Sequence, residues 1–446
     1  MVQEEIMMED LKRKLERNEV VVCVIGVGYV GLPLAIEFAR AGLKVVGFDL
    51  NEERVKQLND GVDATGETEN DYLKETVNKH DLRFTSDENA IKEADFVIIC
   101  VPTPIKENKE PDLSYVKSAG RIVGRNIKKG CVVVLESTVY PGVTEEVLKP
   151  ILEKESGLVC DRDFFVGYSP ERMNPGDKEH NLRNVVKIVA GMNKNTGDVL
   201  EMLYRKVVDA GVYKTKDIKT AEAAKVIENI QRDLNIALVN ELSIIFGKMN
   251  IDINDVLDAA ATKWNFHRYS PGFVGGHCIP VDPYYLVYKA RQIGYEPKVI
   301  LAGREINDDM PVMVANEVIE SVKSSGKDLS HTKILLMGLT FKRNVKDSRN
   351  APSKNIINIF KQAGLREIFA YEPLLTREEI EKEFGIKSVE NLDDIDDVDH
   401  VIVVTDHDVF RREDVVERIR NMYKNGTHIV DIRGVFKRII EDREFV

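Results

Sequence analysis

Apolar runs alternate with amphipathic stretches along roughly the first 190 residues of the chain. The runs are short and rich in valine and isoleucine, which is typical of buried parallel strands. They are VVVCVI (20–25), KVVGFD (44–49), DFVIICVP (95–102), CVVVLEST (131–138), FFVGYSP (164–170) and VVKIVAG (185–191). The βαβ alternation predicts a doubly wound α/β sheet with helices on both faces.

The pattern changes after residue 215. Residues 221–249 contain no proline and one late glycine, so they predict one long helix. More helical sequence follows to about residue 325, interrupted by the Gly- and Pro-rich segment 270–285. A second α/β region then begins with TKILLMGLTF (332–341) and continues with strand-like runs at 367–373, 400–406 and 428–434.

This outline predicts three domains, at residues 1–215, 216–325 and 326–446. The first and third are Rossmann-like doubly wound α/β domains, and the long central helix with its helical block joins them. A helical block between two α/β regions often serves as a spacer and a dimer surface. We therefore expect a homodimer or a higher homo-oligomer formed through the central helix.

Composition narrows the function classes. The 446 residues are 43% hydrophobic and 31% charged, which fits a folded globular protein with ample core. The net charge of −12 argues against a nucleic-acid scaffold, and no apolar run approaches the roughly 20 residues of a membrane span. The charged N-terminal stretch 1–19 predicts a surface helix rather than a signal peptide, and the acidic stretch 391–400 predicts a solvated loop.

The cysteines indicate a reducing compartment. There are five, an odd number without a close pair, which argues against a disulfide framework or a zinc site and favours the cytoplasm. Cys23, Cys100 and Cys131 lie inside apolar runs and are expected to be inert core residues, while Cys160 carries no signal. Cys278 lies in a different setting.

A glycine motif follows the first apolar run. Gly26, Gly28 and Gly31 form G-V-G-Y-V-G between a predicted strand and a predicted helix, and the next strand ends at Asp49. In that context the motif predicts a dinucleotide site, with the pyrophosphate at the helix N-terminus. Asp49 is placed to accept hydrogen bonds from the ribose hydroxyls and would repel a 2′-phosphate, so NAD is favoured over NADP. Arg54 on the next helix is a candidate contact for adenine or pyrophosphate.

The segment GGHCIPVDP (275–283) is the most unusual of the chain. Two glycines precede Cys278 and two prolines follow it, so the loop can present a thiol rigidly beside backbone N–H groups. Asp282 lies four residues on, close enough to orient a base or a water. Lys225 and Asn229 are spaced i, i+4 on the long helix and share a face, where an ammonium and an amide suit an oxyanion or a positioned water.

With these motifs the chain resembles the UDP-glucose/GDP-mannose dehydrogenase family over about residues 18 to 440. The resemblance implies an NAD domain, a central dimerisation block and a UDP-binding domain, and a four-electron oxidation of the C6 alcohol of a nucleotide sugar by two NAD in turn. The motifs that carry it are GVGYVGLPLA (26–35), VPTP (101–104), ESTVYPG (136–142), YSPER (168–172), AEAAKVIEN (221–229), PGFVGGHCIPVDP (271–283) and GLTFKRNVKDSRNAPS (338–353).

The resemblance also implies roles for individual residues. The catalytic set is the nucleophile Cys278 with Lys225, Asn229, Asp282, Glu171 and Thr138. The cofactor-binding set is Gly26, Gly28, Tyr29, Val30, Gly31, Asp49, Arg54, Pro102, Thr103, Thr138 and Arg433. The substrate-binding set is Glu171, Arg172, Lys225, Asn229, Arg268, Gly275, Phe341 and Lys342.

One departure bears on the sugar. UDP-glucose dehydrogenases carry a second carboxylate four residues after the SPE glutamate, whereas Pro175 stands at that place here. In this feature the chain resembles the branch of the family that acts on UDP-N-acetylhexosamines. The configuration of the sugar at C2 and C4 stays open, and UDP-glucose is the alternative substrate. A two-electron hydroxyacid dehydrogenase would not need the Cys278 loop, and an inactive nucleotide-sugar-binding protein would not need Cys278, Lys225, Asn229 and Asp282 together.

Overall fold

The computed structural model describes residues 2–66, 68–173 and 179–436. The chain forms two units, Met1–Glu228 with Tyr284–Tyr295 and Asn229–Pro283 with Glu296–Val446. The helices are α1 (Val2–Glu16), α2 (Gly31–Arg40), α3 (Glu52–Asn59), α4 (Asn70–Lys79), α5 (Ser114–Asn126), α6 (Lys149–Ser156), α7 (Lys194–Tyr204), α8 (Ile218–Lys248), α9 (Ile253–Ala260), α10 (Asp282–Gln292), α11 (Lys298–Ser324), α12 (Pro352–Ala363), α13 (Arg377–Phe384) and α14 (Glu413–Lys424). The strands are β1 (Val21–Ile25), β2 (Lys44–Phe48), β3 (Leu82–Thr85), β4 (Phe96–Ile99), β5 (Val132–Leu135), β6 (Phe165–Tyr168), β7 (Lys187–Gly191), β8 (Val212–Lys214), β9 (Lys333–Met337), β10 (Glu367–Tyr371), β11 (Lys387–Ser388), β12 (His400–Val403) and β13 (His428–Val430).

Over the described residues, the first unit contains an eight-stranded sheet in the order β3-β2-β1-β4-β5-β6-β7-β8. The central strands β4, β5 and β6 are buried along their whole length, because helices cover both faces of a doubly wound sheet. From β1 the chain first adds β2 and β3 on one side of the sheet. It then crosses to the other side of β1 and adds β4 to β8, so the switch point of the topology lies between β1 and β4. A nucleotide binds at such a switch point, beyond the carboxyl ends of the strands.

Strand β7 corrects the sequence-based prediction of one parallel series. It pairs antiparallel with β6, with Gly167 opposite Gly191 and Tyr168 opposite Ala190, whereas the other pairs in this sheet are parallel. The apolar pattern of residues 185–191 specified a buried strand correctly. It carried no information on direction, because side chains alternate in the same way in both orientations.

Two surface predictions are also corrected. Helix α1 forms as expected, but Met8, Leu11 and Leu15 on one of its faces are buried in the core of the first unit. The acidic stretch 391–400 is not simply solvated, because its apolar residues, such as Leu392 and Ile395, are buried in the second unit. In both segments the charged residues dominate the composition while the spaced apolar residues determine the packing.

The second unit is built on a parallel sheet of five described strands in the order β11-β10-β9-β12-β13. Its central strand β9 supplies both cores: Ile334 and Leu336 face one, and Leu335 and Met337 face the other. This alternation is the strand period of two, with a covered sheet face on each side. The unit also contains most of α8, which begins in the first unit, and the helices α9 and α11.

Candidate active site

Each glycine of the first motif has a distinct steric reason. Gly26 has a φ of +86° and its N–H donates to the carbonyl of Phe48, which closes the turn after β1. A Cβ on Gly31 would lie 2.0 Å from the carbonyl oxygen of Gly26, so helix α2 can approach the turn only with glycine there. A Cβ on Gly28 would meet no atom within 4 Å, so the space above it is open. The turn therefore presents backbone N–H groups and a helix N-terminus to open space, which fits a pyrophosphate.

Asp49 and Arg54 hold the same turn. The Asp49 carboxylate, directly after β2, accepts the N–H of Val27 at 3.1 Å and that of Asn51 at 3.0 Å. The Arg54 guanidinium donates to the carbonyl of Val27 and pairs with the buried Asp63 at 2.7 Å. The residues present at the end of β2 thus fit the ribose of NAD, with a carboxylate already oriented at the turn.

Asp49→Asn tests the cofactor preference. Loss of the charge removes a charge-assisted hydrogen bond to the ribose and the repulsion of a 2′-phosphate. We expect the ratio of kcat/KM for NAD to that for NADP to fall about 10- to 100-fold. Steady-state kinetics with both cofactors measure this ratio, and Asp60→Asn, at an exposed residue after α3, is the matched control. An unchanged ratio in Asp49→Asn would remove the carboxylate from cofactor selection.

The remaining residues predicted for the cofactor in the first unit follow β1, β4 and β5. Tyr29 and Val30 complete the glycine turn before α2, and Pro102 and Thr103 follow β4. The Thr103 carbonyl accepts the hydroxyl of Tyr285 on α10 at 2.7 Å. Thr138 lies half-buried after β5. Because these strands are parallel neighbours, all of these residues lie at the carboxyl edge of the sheet, where nucleotides bind.

Glu171 lies at the same edge, three residues after β6. Its Oε1 accepts the N–H groups of Arg172 and Met173, and its Oε2 lies 3.7 Å from the Nζ of Lys187. The Arg172 guanidinium donates to the carbonyl of Val186 and pairs with Glu228 at 2.8 Å. Pro175, on which the choice between sugars partly rests, lies outside the described residues.

Lys225 is held in place by a residue that the sequence analysis missed. Glu222, three positions earlier on α8, is buried and accepts the N–H groups of Gly142 and Thr144 and the hydroxyl of Thr144. Burial raises the pKa of Glu222 to about 7 against the effect of these donors. The first turns of α8 are thereby fixed to the loop after β5, and Lys225 is half-buried with no hydrogen bond or ion pair among the described residues. A buried glutamate beside three small residues in AEAAK was the available signal.

Residues 271–283 form the cysteine loop, and its glycine pair allows close packing within the second unit. A Cβ on Gly275 would lie 2.6 Å from Pro352 and 2.9 Å from the carbonyl oxygen of Asn350. Gly276 has a φ of +83°, and a Cβ there would lie 2.7 Å from the ring of Phe341. The loop therefore lies directly against residues 341–352. This brings together Gly275 and Phe341, two residues predicted to bind substrate.

Cys278 is exposed at the start of α10, in contrast to the buried Cys23, Cys131 and Cys160. Its carbonyl accepts the N–H groups of Val281 and Asp282 at 3.1 and 2.9 Å, which starts the helix. A helix N-terminus stabilises a nearby thiolate. Burial raises the pKa of Cys23 to about 12, so that thiol stays protonated and unreactive.

Asn229 and Asp282 form a direct pair. The Asn229 amide donates to Asp282 Oδ2 at 2.5 Å, and Asp282 is buried in the first turn of α10. The Asp282 N–H donates to the Cys278 carbonyl, so the carboxylate that holds the amide follows the thiol by one turn of the chain. Lys225 lies one turn before Asn229 on α8. Lys225 and Asn229 thus lie on α8, Cys278 and Asp282 lie around the start of α10, and Glu171 and Thr138 lie at the sheet edge of the first unit.

A buried polar network anchors the cysteine loop, and the sequence analysis did not identify it. The Asn240 side chain accepts the N–H of Gly272 at 2.8 Å and donates to its carbonyl at 3.0 Å. Asn307 accepts from Asn240 and donates to Asp233, which pairs with the fully buried Arg304 at 2.6 Å. Polar residues on the buried faces of α8 and α11 were the signal, because such groups are retained where they are hydrogen-bonded.

The turn after β9 carries the candidate substrate residues Phe341 and Lys342. Phe341 N–H donates to the carbonyl of Asp347, and Glu372 accepts the N–H of Leu339 and faces His407 at 3.3 Å. Burial opposes ionisation of Glu372, but His407 and the backbone donors outweigh it and lower the pKa. Glu372 follows β10 as Asp49 follows β2, yet it is buried in the turn. It therefore does not offer a carboxylate to a ribose, which distinguishes this turn from the dinucleotide site.

The two predicted arginines are engaged within the second unit. Arg433 lies against Gly272, where a Cβ would approach its Nε to 2.7 Å, and it pairs with Asp406 at 3.4 Å. Arg268 pairs with Asp258 at 2.9 Å. Both placements leave their cofactor and substrate roles as predictions.

The described residues contain neither a metal-ligand cluster nor a membrane-spanning helix. No group of three or more His, Cys, Asp or Glu side chains there is arranged to hold a metal ion. No helix in that part of the chain has the length and apolar character needed to span a membrane.

Three family models match nearly the whole chain. They are the NAD-binding domain (residues 20–208), the central domain (219–309) and the UDP-binding domain (335–438) of the UDP-glucose/GDP-mannose dehydrogenase family. The chain is 46% identical to the UDP-N-acetyl-D-glucosamine 6-dehydrogenase of Salmonella typhi, over 94% of this chain and 97% of that protein. It is 44% identical to the enzyme of the same name from Pseudomonas aeruginosa, over 96% and 97%.

A solved structure agrees with these matches. The structure of the UDP-D-ManNAc dehydrogenase from Pyrococcus horikoshii aligns with a TM-score of 0.83 at 32% identity, covering 93% of this chain and 96% of that one. Together with the glycine turn and Asp49, the NAD-binding domain identifies the cofactor as NAD. The chain is therefore an NAD-dependent oxidoreductase that belongs to the UDP-glucose/GDP-mannose dehydrogenase family.

Proposed function

We propose that the protein oxidises the C6 alcohol of UDP-N-acetyl-D-glucosamine to the carboxylate, with Cys278 as the covalent nucleophile. The observation that carries the reaction is the exposed Cys278 at the start of α10, beside the Asn229–Asp282 pair. Bound NAD would accept hydride in each of the two oxidations. An aldehyde forms first, and a thiol is needed only if the enzyme holds that aldehyde for a second oxidation.

The roles of the chain's own groups follow from their chemistry. The Cys278 thiolate adds to the C6 aldehyde to give a thiohemiacetal, and loss of hydride converts it to a thioester. The Lys225 ammonium and the Asn229 amide stabilise the oxyanions of these steps, and Asp282 keeps the amide oriented. A water that loses its proton to Glu171 or Asp282 then releases the uronate.

The choice of sugar rests on the graded similarity of the relatives. Identity is 44–46% to the two UDP-N-acetyl-D-glucosamine 6-dehydrogenases and 31–35% to the UDP-N-acetyl-D-mannosamine dehydrogenases. Since all of these align over at least 91% of this chain, the difference is not one of coverage. This gradient favours the gluco configuration at C2.

The test is a count of NADH formed per sugar. Limiting UDP-N-acetylglucosamine is mixed with excess NAD, in parallel with its manno and galacto epimers and UDP-glucose, and absorbance at 340 nm is followed to completion. We expect two NADH per UDP-N-acetylglucosamine and the highest kcat/KM with that sugar. One NADH per sugar would mean an aldehyde product without a role for Cys278. Preference for UDP-glucose would support the alternative dehydrogenase, and binding without NADH formation would support an inactive binding protein.

We also propose a domain organisation, an oligomeric state and a cellular compartment for the protein. We assign residues 1–215 to NAD binding, 216–325 to the helical block and 326–446 to UDP binding, which the boundaries of the three matching family models support. Exposed apolar residues on α8, such as Leu238 and Ile245, support dimerisation through that helix. A nucleophilic thiol and the use of NAD favour the cytoplasm, where cysteines stay reduced.

A further inference from the structure

A charged cluster is buried beneath the sheet edge of the first unit. Lys187 is 2% exposed and Glu136 is 1% exposed, and their charged groups lie 2.9 Å apart. The Tyr204 hydroxyl donates to the other oxygen of Glu136. Burial of an ammonium costs desolvation free energy even when a carboxylate pairs with it. Packing alone therefore does not explain why a lysine stands at this position.

The antiparallel strand β7 brings this cluster to Glu171. Gly167 and Tyr168 of β6 lie opposite Gly191 and Ala190, so the start of β7 at Lys187 runs back towards the segment that follows β6. The Lys187 Nζ lies 3.7 Å from Glu171 Oε2. That oxygen is buried and accepts no hydrogen bond among the described residues, while Oε1 is fixed by two backbone N–H groups.

Other groups near Glu171 do not replace this ammonium. The Cys100 thiol, after β4, is neutral because burial raises its pKa well above the usual range. Burial raises the pKa of Tyr204 in the same way, so its hydroxyl is neutral too. The Arg172 guanidinium is paired with Glu228. Burial opposes the charge on Lys187, but Glu136 and Glu171 outweigh it and raise the pKa of the ammonium.

We propose that Lys187 is a positioning residue that orients the Glu171 carboxylate as the base for thioester hydrolysis. This rests on the proposed function. In that step a water gives its proton to Glu171 Oε2, its oxygen bonds to C6, and the C6–S bond breaks to release the Cys278 thiolate and the uronic acid. Glu136 pairs with Lys187 and so stabilises the buried ammonium next to the Glu171 carboxylate.

The test compares a double variant with a matched single variant. Lys187→Met/Glu136→Gln removes both charges of the buried pair and keeps an acceptor for Tyr204, whereas Glu136→Gln alone leaves Lys187 beside Glu171. We expect kcat to fall by about 10- to 100-fold in the double variant only, with the loss in the hydrolysis step and not in the hydride transfers. At neutral pH, rapid quenching and mass spectrometry should find a sugar adduct on Cys278 accumulating in the double variant and not in Glu136→Gln.

The outcomes separate this inference from the proposed function. Wild-type NADH yield per sugar tests the function alone. If wild type gives two NADH per sugar but no sugar adduct accumulates on Cys278 in the double variant, Lys187 is only structural. Equal accumulation in Glu136→Gln would also overturn the proposal, because the effect would then arise from Glu136. Should the double variant not fold, as judged by its thermal transition, Lys187→Gln keeps an uncharged donor at this place and should accumulate the same adduct.

Discussion

Cys278→Ser is expected to abolish the release of uronate, with kcat falling by about 10³-fold or more, as for the loss of a nucleophile. A serine hydroxyl fills nearly the same space but stays protonated at neutral pH, so it cannot trap the aldehyde efficiently. The first oxidation does not need the thiol. The variant should therefore stall, or turn over slowly, after one hydride transfer.

Single-turnover measurements check this expectation. Enzyme in excess over UDP-N-acetylglucosamine should give two NADH per sugar in wild type and at most one in Cys278→Ser, and acid quenching should find a protein-bound sugar only in wild type. Cys160→Ala is the matched control, since Cys160 is a buried thiol of the first unit with no proposed role in the reaction. Two NADH per sugar at the wild-type rate in Cys278→Ser would rule out the covalent scheme.

Lys225→Ala is expected to lower kcat by about 10²- to 10³-fold, as for a lost oxyanion donor. Its ammonium has no hydrogen bond or ion pair among the described residues, and Glu222 holds the start of α8, so the charge is available to a developing oxyanion. Because the oxyanion charge exists only along the reaction path, the loss should appear in kcat more than in KM.

Steady-state kinetics with the preferred sugar separate the two roles open to Lys225. Lys248→Ala, at an exposed lysine in the last turn of the same helix, is the control and should retain wild-type kcat. A rise confined to KM in Lys225→Ala would assign the lysine to ground-state binding of the sugar nucleotide.

Much of the fold could be predicted from local pattern. The valine-rich runs specified β1, β2, β4, β5 and β6 to within a few residues, because fully buried strands need continuous apolar sequence. The short strands β3, β8 and β11 were missed, because edge strands carry fewer buried residues. The long helix α8 was predicted to within three residues at its start and one at its end from the absence of breakers.

The sequence identified some residues of the candidate site and not the residues that anchor them. Gly26 and Gly31 were identifiable because they form one tight turn, where glycine is the residue that fits. The steric reason for Gly275 lies in Asn350 and Pro352, which are distant in the chain. The anchors of the site were not identifiable. Asn240 holds Gly272 from 32 positions away, and Glu222 holds Thr144 from 78 positions away, so neither contact leaves a trace in local spacing.

The sequence by itself determined the glycine turn, the cofactor class, the cysteine loop and the family. Each of these depends on residues that are neighbours in the chain, where spacing and side-chain type directly fix the geometry. Only the tertiary structure decided the direction of β7 and the approach of Lys187 to Glu171. Lys187 is the third residue of the apolar run 185–191, and that pattern does not indicate what its ammonium contacts. The buried ammonium is stabilised by Glu136 after β5 and Glu171 after β6. The order of the strands in the sheet, and not spacing along the chain, brings these carboxylates to Lys187.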